Sequence, residues 1–237
     1  MPDITVYTFS PDWGLPTTGP FALKLLAWLG LHGIPHRTVV ENNTRKAPAG
    51  KIPWAVIDGE PVADSDRIIA RLSHLAPPDP EQPAPDRAAA HAFKTAFEER
   101  VHQVLEYELF LHPAGAAYMD GFIRRHAPFP LGGLVSHMMR RHFGKQLHAR
   151  GLTRHTPEEI AAMGRAEIAA LADYIAARPY LGGEAPSRAD LAVFGQVMPL
   201  LAWPMRTPVA DTAKATPILR DWAGRIHTAA FGVSPDP

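Results

Sequence analysis

Five prolines fall between Pro77 and Pro85, in the stretch "APPDPEQPAPD". A tract missing so many backbone N–H groups makes neither a helix nor a central strand, and it reads as an extended linker. It divides the chain. Before it, "ITVYTF" is a short apolar β-rich run. "PFALKLLAWLGLHGIP" is a helix with Pro20 in its first turn and Gly33 and Pro35 at its end. "HRTVVEN" is a second strand, and "WAVIDGEPVA" is a hairpin turning at Asp58-Gly59. "DSDRIIARLSHL" then has helical spacing at Ile68, Ile69, Leu72 and Leu75. After the linker everything reads as helix, beginning with the long run "DRAAAHAFKTAFEERVHQVLEYELFL". Capping signals follow at Thr156 and Glu159 and at Ser187 and Asp190.

At 237 residues the chain has room for a sizeable core. Its formal net charge is zero, which argues against a general nucleic-acid binder. It has no cysteine, which excludes disulfides, thiolate metal sites and a thiol nucleophile. "MPDITVYTFS" lacks the order of a signal peptide, and no apolar run approaches the ~20 residues of a membrane span. A cytoplasmic location is the expectation.

"YTFSPDWGLPTTGPFALKLLAW" passes from strand to helix through a turn rich in Gly, Pro and Thr. Such a turn is either punctuation or an anion site at a helix N-terminus. Three further stretches bear on the choice. "GKIPWAVIDGEPVADS" resembles the segment in which glutathione transferases place a cis-proline before the third strand and an acid-Ser pair after the fourth. "YLGGEAPSRADLAVFG" resembles the capping signature of that family's second domain. "RKAPAGKIP", "QLHARGLTRHTPEEI" and "WGLPTTGPFALK" resemble more narrowly the branch of failed-axon-connections and metaxin-like proteins.

The resemblance implies a thioredoxin-like α/β domain over residues 1–76, a linker over 77–86 and an all-helical domain over 87–237, with a helical surplus in 111–155. It implies glutathione as co-substrate and small electrophiles, peroxides included, as substrates. It also implies a homodimer and no metal. Ser65, at a helix N-terminus, would meet the γ-glutamyl carboxylate. Asp64 or Asp66 would balance the ammonium, and Lys51 would meet the glycyl carboxylate. Pro53, if cis, would present the Ile52 backbone for pairing. The bland reading makes Ser65 an ordinary cap, Lys51 solvated surface and Pro53 a trans turn residue.

One departure from the family is plain: Gly19 occupies the position directly before Pro-Phe where relatives carry a catalytic side chain. Thr18, then Thr17, are the nearest hydroxyls able to stabilise a thiolate, and Tyr7 on the first strand is a rival. Tyr107, Phe110, Phe122 and Trp203 are candidates for an apolar substrate wall. A glutathione transferase is the leading reading. A non-catalytic binding or scaffolding module on the same fold is the alternative. Between Asp120 and Glu158 stand seven Arg or Lys and five His with no acid. Pairing with Glu98, Glu99, Glu106 and Glu108, or plain solvation, accounts for that segment better than nucleic acid or a metal.

Overall fold

The computed structural model of the protein describes residues 1–126 and 130–232. The first part runs β1 (Ile4–Thr8), α1 (Pro20–Leu31), β2 (Arg37–Val40), β3 (Trp54–Ile57), β4 (Glu60–Ala63) and α2 (Ser65–Leu72). The strands form one mixed sheet in the order β2-β1-β3-β4, with β1 parallel to β2 and the other pairs antiparallel. Alternation along β1 turns Ile4, Val6 and Thr8 inward. Asp58 and Gly59 both have positive φ (51° and 84°), as a tight hairpin turn between β3 and β4 requires.

The linker is shorter than the prolines suggest. Helix α3 (Ala84–Ala96) already includes Ala84, Pro85 and Asp86, because proline in a first turn gives up only an N–H that has no helical partner. The long helix expected next is present, with a wider π turn at Phe97–Val101 leading into α4 (His102–Phe110). Then come α5 (Pro113–His126), α6 (Gly132–Ala149), α7 (Pro157–Ile175), α8 (Arg188–Ala202), α9 (Pro208–Lys214) and α10 (Pro217–Phe231). Both expected capping boxes are formed, Thr156 with Glu159 and Ser187 with Asp190. Among the described residues no helix is long and apolar enough to cross a membrane.

One hydrophobic cluster joins the two parts. Helix α1 is buried from Ala22 to Leu29, too widely for an amphipathic surface helix. It is gripped on two sides. A Cβ on Gly195 of α8 would stand 2.4 Å from the Pro20 carbonyl oxygen, and one on Gly30 would stand 2.1 Å from the Ala230 oxygen of α10. Both contacts exist only because a glycine lets backbone meet backbone.

Lys24 points from α1 into this seam and is 1% exposed. It donates to Asp66 of α2 and to Glu98 in the π turn (2.7 Å). Lys94 of α3 closes the cluster on Asp66 at 2.5 Å and on Glu98 at 3.4 Å. Four charges from the two parts of the chain thereby neutralise one another where burial would otherwise penalise each.

Candidate functional site

The sheet register fixes what meets at its end. Tyr7 pairs with Trp54, and Trp54 pairs with Ala63. Pro53 and Asp64 therefore leave the sheet side by side, where β1 feeds the turn that opens α1. Ile52-Pro53, Asp64-Ser65 and Thr17-Gly19 converge on one edge, along with the N-termini of α1 and α2. The Ile52-Pro53 peptide is cis. No hydrogen bond among the described residues engages the Ile52 backbone.

Asp64 has φ 76° and caps α2, accepting from the N–H groups of Asp66 (2.9 Å) and Arg67 (3.3 Å). Ser65 is 3% exposed, yet its hydroxyl has no hydrogen-bond partner among the described residues. Asp66 is not available to an ammonium, being tied to Lys24 and Lys94. Burial pushes its carboxyl up, but the hydrogen bonds and charges of those two lysines outweigh burial and hold its pKa below the ordinary value. Of the two acids weighed, Asp64 is the one left at the sheet end. Lys51 is exposed and forms no ion pair among the described residues.

The opening turn is built by local hydrogen bonds. Thr17 is fully buried, and its hydroxyl oxygen accepts from the Gly19 N–H at 3.1 Å. Thr18 is half-buried and donates from both its N–H (3.1 Å) and its hydroxyl (3.3 Å) to the Ser10 carbonyl. Asn42 fastens Ser10 from the other side, its amide NH2 donating to the Ser10 hydroxyl at 2.8 Å. No side chain caps α1, and Pro20 has no N–H, so the Phe21 and Ala22 N–H groups of its first turn lack a side-chain cap.

Gly19 has ordinary extended backbone (φ −87°, ψ 116°), so it is not there to permit an unusual conformation. Phe9 is the reason. A Cβ at Gly19 would lie 2.8 Å from the Phe9 ring, which occupies the space a side chain would need. Tyr7 lies instead on a sheet face, stacked on Trp54 with ring centroids 3.8 Å apart. Its packing places it in the sheet rather than at the turn.

The turn also docks onto the helical part, through residues that sequence patterns did not single out. The Tyr118 hydroxyl of α5 donates to the Asp12 carboxylate (2.7 Å) and accepts from the Trp13 indole (3.0 Å). Burial raises the Tyr118 pKa, and Asp12 adds to the effect. Trp13 in turn meets Trp203 edge-on at 6.0 Å.

Of the expected apolar wall, Trp203 is the member that the fold withdraws. Trp203 is 0% exposed and lies in the core, presenting no surface to a ligand. Phe110 is stacked on Phe143 of α6 at 3.8 Å, and Tyr107 is half-buried on α4. An open groove of about 740 Å³ between α3 and α7 holds none of these residues. Its charges close on one another, Arg100 with Glu167 (3.3 Å) and Arg150 with Glu99 (2.9 Å). Among the described residues no cluster of His, Cys, Asp and Glu is suited to a metal.

Residues 20–115 match the glutathione S-transferase N-terminal domain family. The chain is 26% identical over 223 residues to failed axon connections of Drosophila melanogaster, covering 86% of this chain and 53% of that protein, so it spans about half that relative's length. It is 24% identical over 232 residues to the isoprene-epoxide–glutathione S-transferase of Rhodococcus sp. (strain AD45), covering 94% of this chain and 98% of the other. The β-etherase LigF of Sphingobium sp. strain SYK-6 superposes with a TM-score of 0.62 at 21% identity, over 94% of each chain, which shows a shared fold. A thioredoxin-like α/β unit followed by an all-helical second part is the glutathione S-transferase fold, and these matches support membership of that superfamily, with failed axon connections among the relatives.

Proposed function

We propose that the protein is a glutathione-dependent transferase that seats glutathione at the sheet end and activates its thiol for attack on small electrophiles. The observation that carries this is Ser65, all but buried at the α2 N-terminus with an unspent hydroxyl. A carboxylate arriving there would meet both the hydroxyl and the helix end. The Ile52 backbone would pair with the cysteinyl unit, Asp64 would face the ammonium and Lys51 the glycyl carboxylate. The sulfur then lies toward the α1 N-terminus. There the hydroxyl of Thr18 can turn from its long bond to Ser10 toward a thiolate, a stronger acceptor, with Thr17 behind it.

Each unit of thiol pKa lowering needs about 1.4 kcal/mol, and a hydrogen bond to a charged group supplies roughly 1.5–3 kcal/mol. One hydroxyl with the helix N-terminus thus accounts for a shift of about one to two units. The substrate class that fits is an epoxide or a similarly small electrophile. A sulfur–carbon bond forms as the carbon–oxygen bond opens, and the alkoxide takes a proton from water. The Rhodococcus relative, an isoprene-epoxide–glutathione S-transferase, supports that class. A second reading, a glutathione-binding module without catalysis, is favoured by one observation: Phe9 fills the place of a catalytic side chain beside Gly19.

Calorimetric titration with glutathione, run beside turnover of an epoxide, tests the proposal. The parent should bind and turn over, and Ser65→Ala should lose roughly tenfold or more in affinity. Affinity unchanged in Ser65→Ala would place the ligand elsewhere. Binding without turnover would select the second reading.

A further inference from the structure

We infer that the outward face of α6 is a docking surface for an anionic lipid membrane. Leu131, Leu134 and Met138 are 49%, 58% and 58% exposed, large apolar side chains with no core to join. Their spacing of three and four residues puts them on one face at the start of the helix. The same face continues one and two turns later with Arg141 and Lys145, both exposed, and Arg140 flanks it.

Internal pairing does not absorb this charge. Arg124 meets Asp120 at 2.7 Å and Arg150 meets Glu99, but Glu98 is spent on Lys24 and Lys94. Glu108 is buried, accepting from Thr207 (2.6 Å) and from the Val209 N–H (2.7 Å) at the start of α9. Among the described residues Arg140, Arg141 and Lys145 close no ion pair within 4 Å, although Arg140 feels the charge of Asp120.

The helix is held firmly from behind. Leu147 and Ser136 are buried, Phe143 stacks on Phe110, and α5 packs alongside. The face therefore stays presented outward.

Apolar side chains beside unpaired cations fit the boundary between acyl chains and phosphate headgroups. A second copy of the same face would set like charges together, and a nucleic-acid backbone would give the Leu and Met side chains nothing to bury. Charge complementarity and apolar exposure together select the membrane. The contact is peripheral, since no described helix can span a bilayer.

The full chain should co-sediment with phosphatidylcholine–phosphatidylserine vesicles and not with phosphatidylcholine alone, and raised salt should release it. Arg141→Gln with Lys145→Gln should weaken partitioning by roughly twenty-fivefold, at about fivefold per cation. Leu134→Ser with Met138→Ser should weaken it by roughly tenfold or more. Because these positions are exposed, melting temperatures should match the parent. As an independent reading, a tryptophan placed by Met138→Trp should be quenched by brominated lipid in the anionic vesicles. Equal sedimentation with both vesicle types, no sedimentation with either, or an unquenched tryptophan would overturn the inference. So would binding that ignores the Leu134 and Met138 changes, or a duplex DNA that displaces the vesicles at lower concentration.

Discussion

The Phe9 ring stands 2.8 Å from the point a Cβ on Gly19 would occupy. A serine or cysteine at position 19 would need that half-buried ring to move aside. Gly19→Ser should cost roughly 1–3 kcal/mol, as overpacking does. Adding Phe9→Leu should recover most of that loss. Thermal melts of the single and double variants check this; a Gly19→Ser protein that melts like the parent would show that the ring yields freely.

Lys24 is the hinge of charge between the two parts of the chain. Lys24→Met should destabilise by roughly 3 kcal/mol, the low end for breaking a buried pair, because Lys94 remains beside both acids. The effect has a pH signature. Asp66 binds its proton less tightly in the fold than when unfolded, so its contribution is complete above its ordinary value of 3.8 and fades as pH falls through the lower folded value. Lys94 runs the other way. Burial lowers its pKa, but Asp66 and Glu98 raise it further, so its contribution is complete below 10.5 and fades as pH rises through the folded value. The gap in melting temperature between parent and Lys24→Met should hold at neutral pH and narrow below pH 3.8. A gap that stays constant into acid would contradict this account of the cluster.

Asp190 does more than cap a helix. Its buried carboxylate accepts from the N–H groups of Leu181 (2.7 Å), Gly182 (2.8 Å) and Ser187 (2.9 Å), from the Ser187 hydroxyl (2.8 Å) and from the Trp222 indole (3.3 Å). Asp190→Ala should therefore cost about 3–5 kcal/mol, a lost cap plus orphaned buried donors. Denaturant melts read this directly, and a loss near that of an ordinary cap would mean the donors find water.

Local chemistry made much of this fold legible. The Asp58-Gly59 turn, the proline tract and the boxes at Thr156 and Ser187 each depend on residues within a few positions of one another. Pairings across the chain left no such mark. The partners of Lys24 lie 42 and 74 residues away, and Glu108 serves Thr207, which is 99 residues on. Nothing in the sequence around Lys24, inside the apolar run "FALKLLAW", names its acids. Trp203 shows the converse limit, since an aromatic at a helix end reads the same whether it lines a cleft or fills a core. At the candidate site the converging segments were readable as motifs. The obstruction by Phe9 and the anchoring of the turn by Tyr118 were not, because both depend on how the turn closes in space.

In the proposed function, the opening turn and the α1 N-terminus stabilise a glutathione thiolate without a catalytic side chain at position 19. Spectrophotometric titration of the thiol of bound glutathione measures this most directly. That stabilisation should give a pKa about one to two units below the value in free solution. Thr18→Val should return it toward that value, and Thr17→Val should not. A bound thiol that titrates at its solution value in the parent protein would contradict the claim.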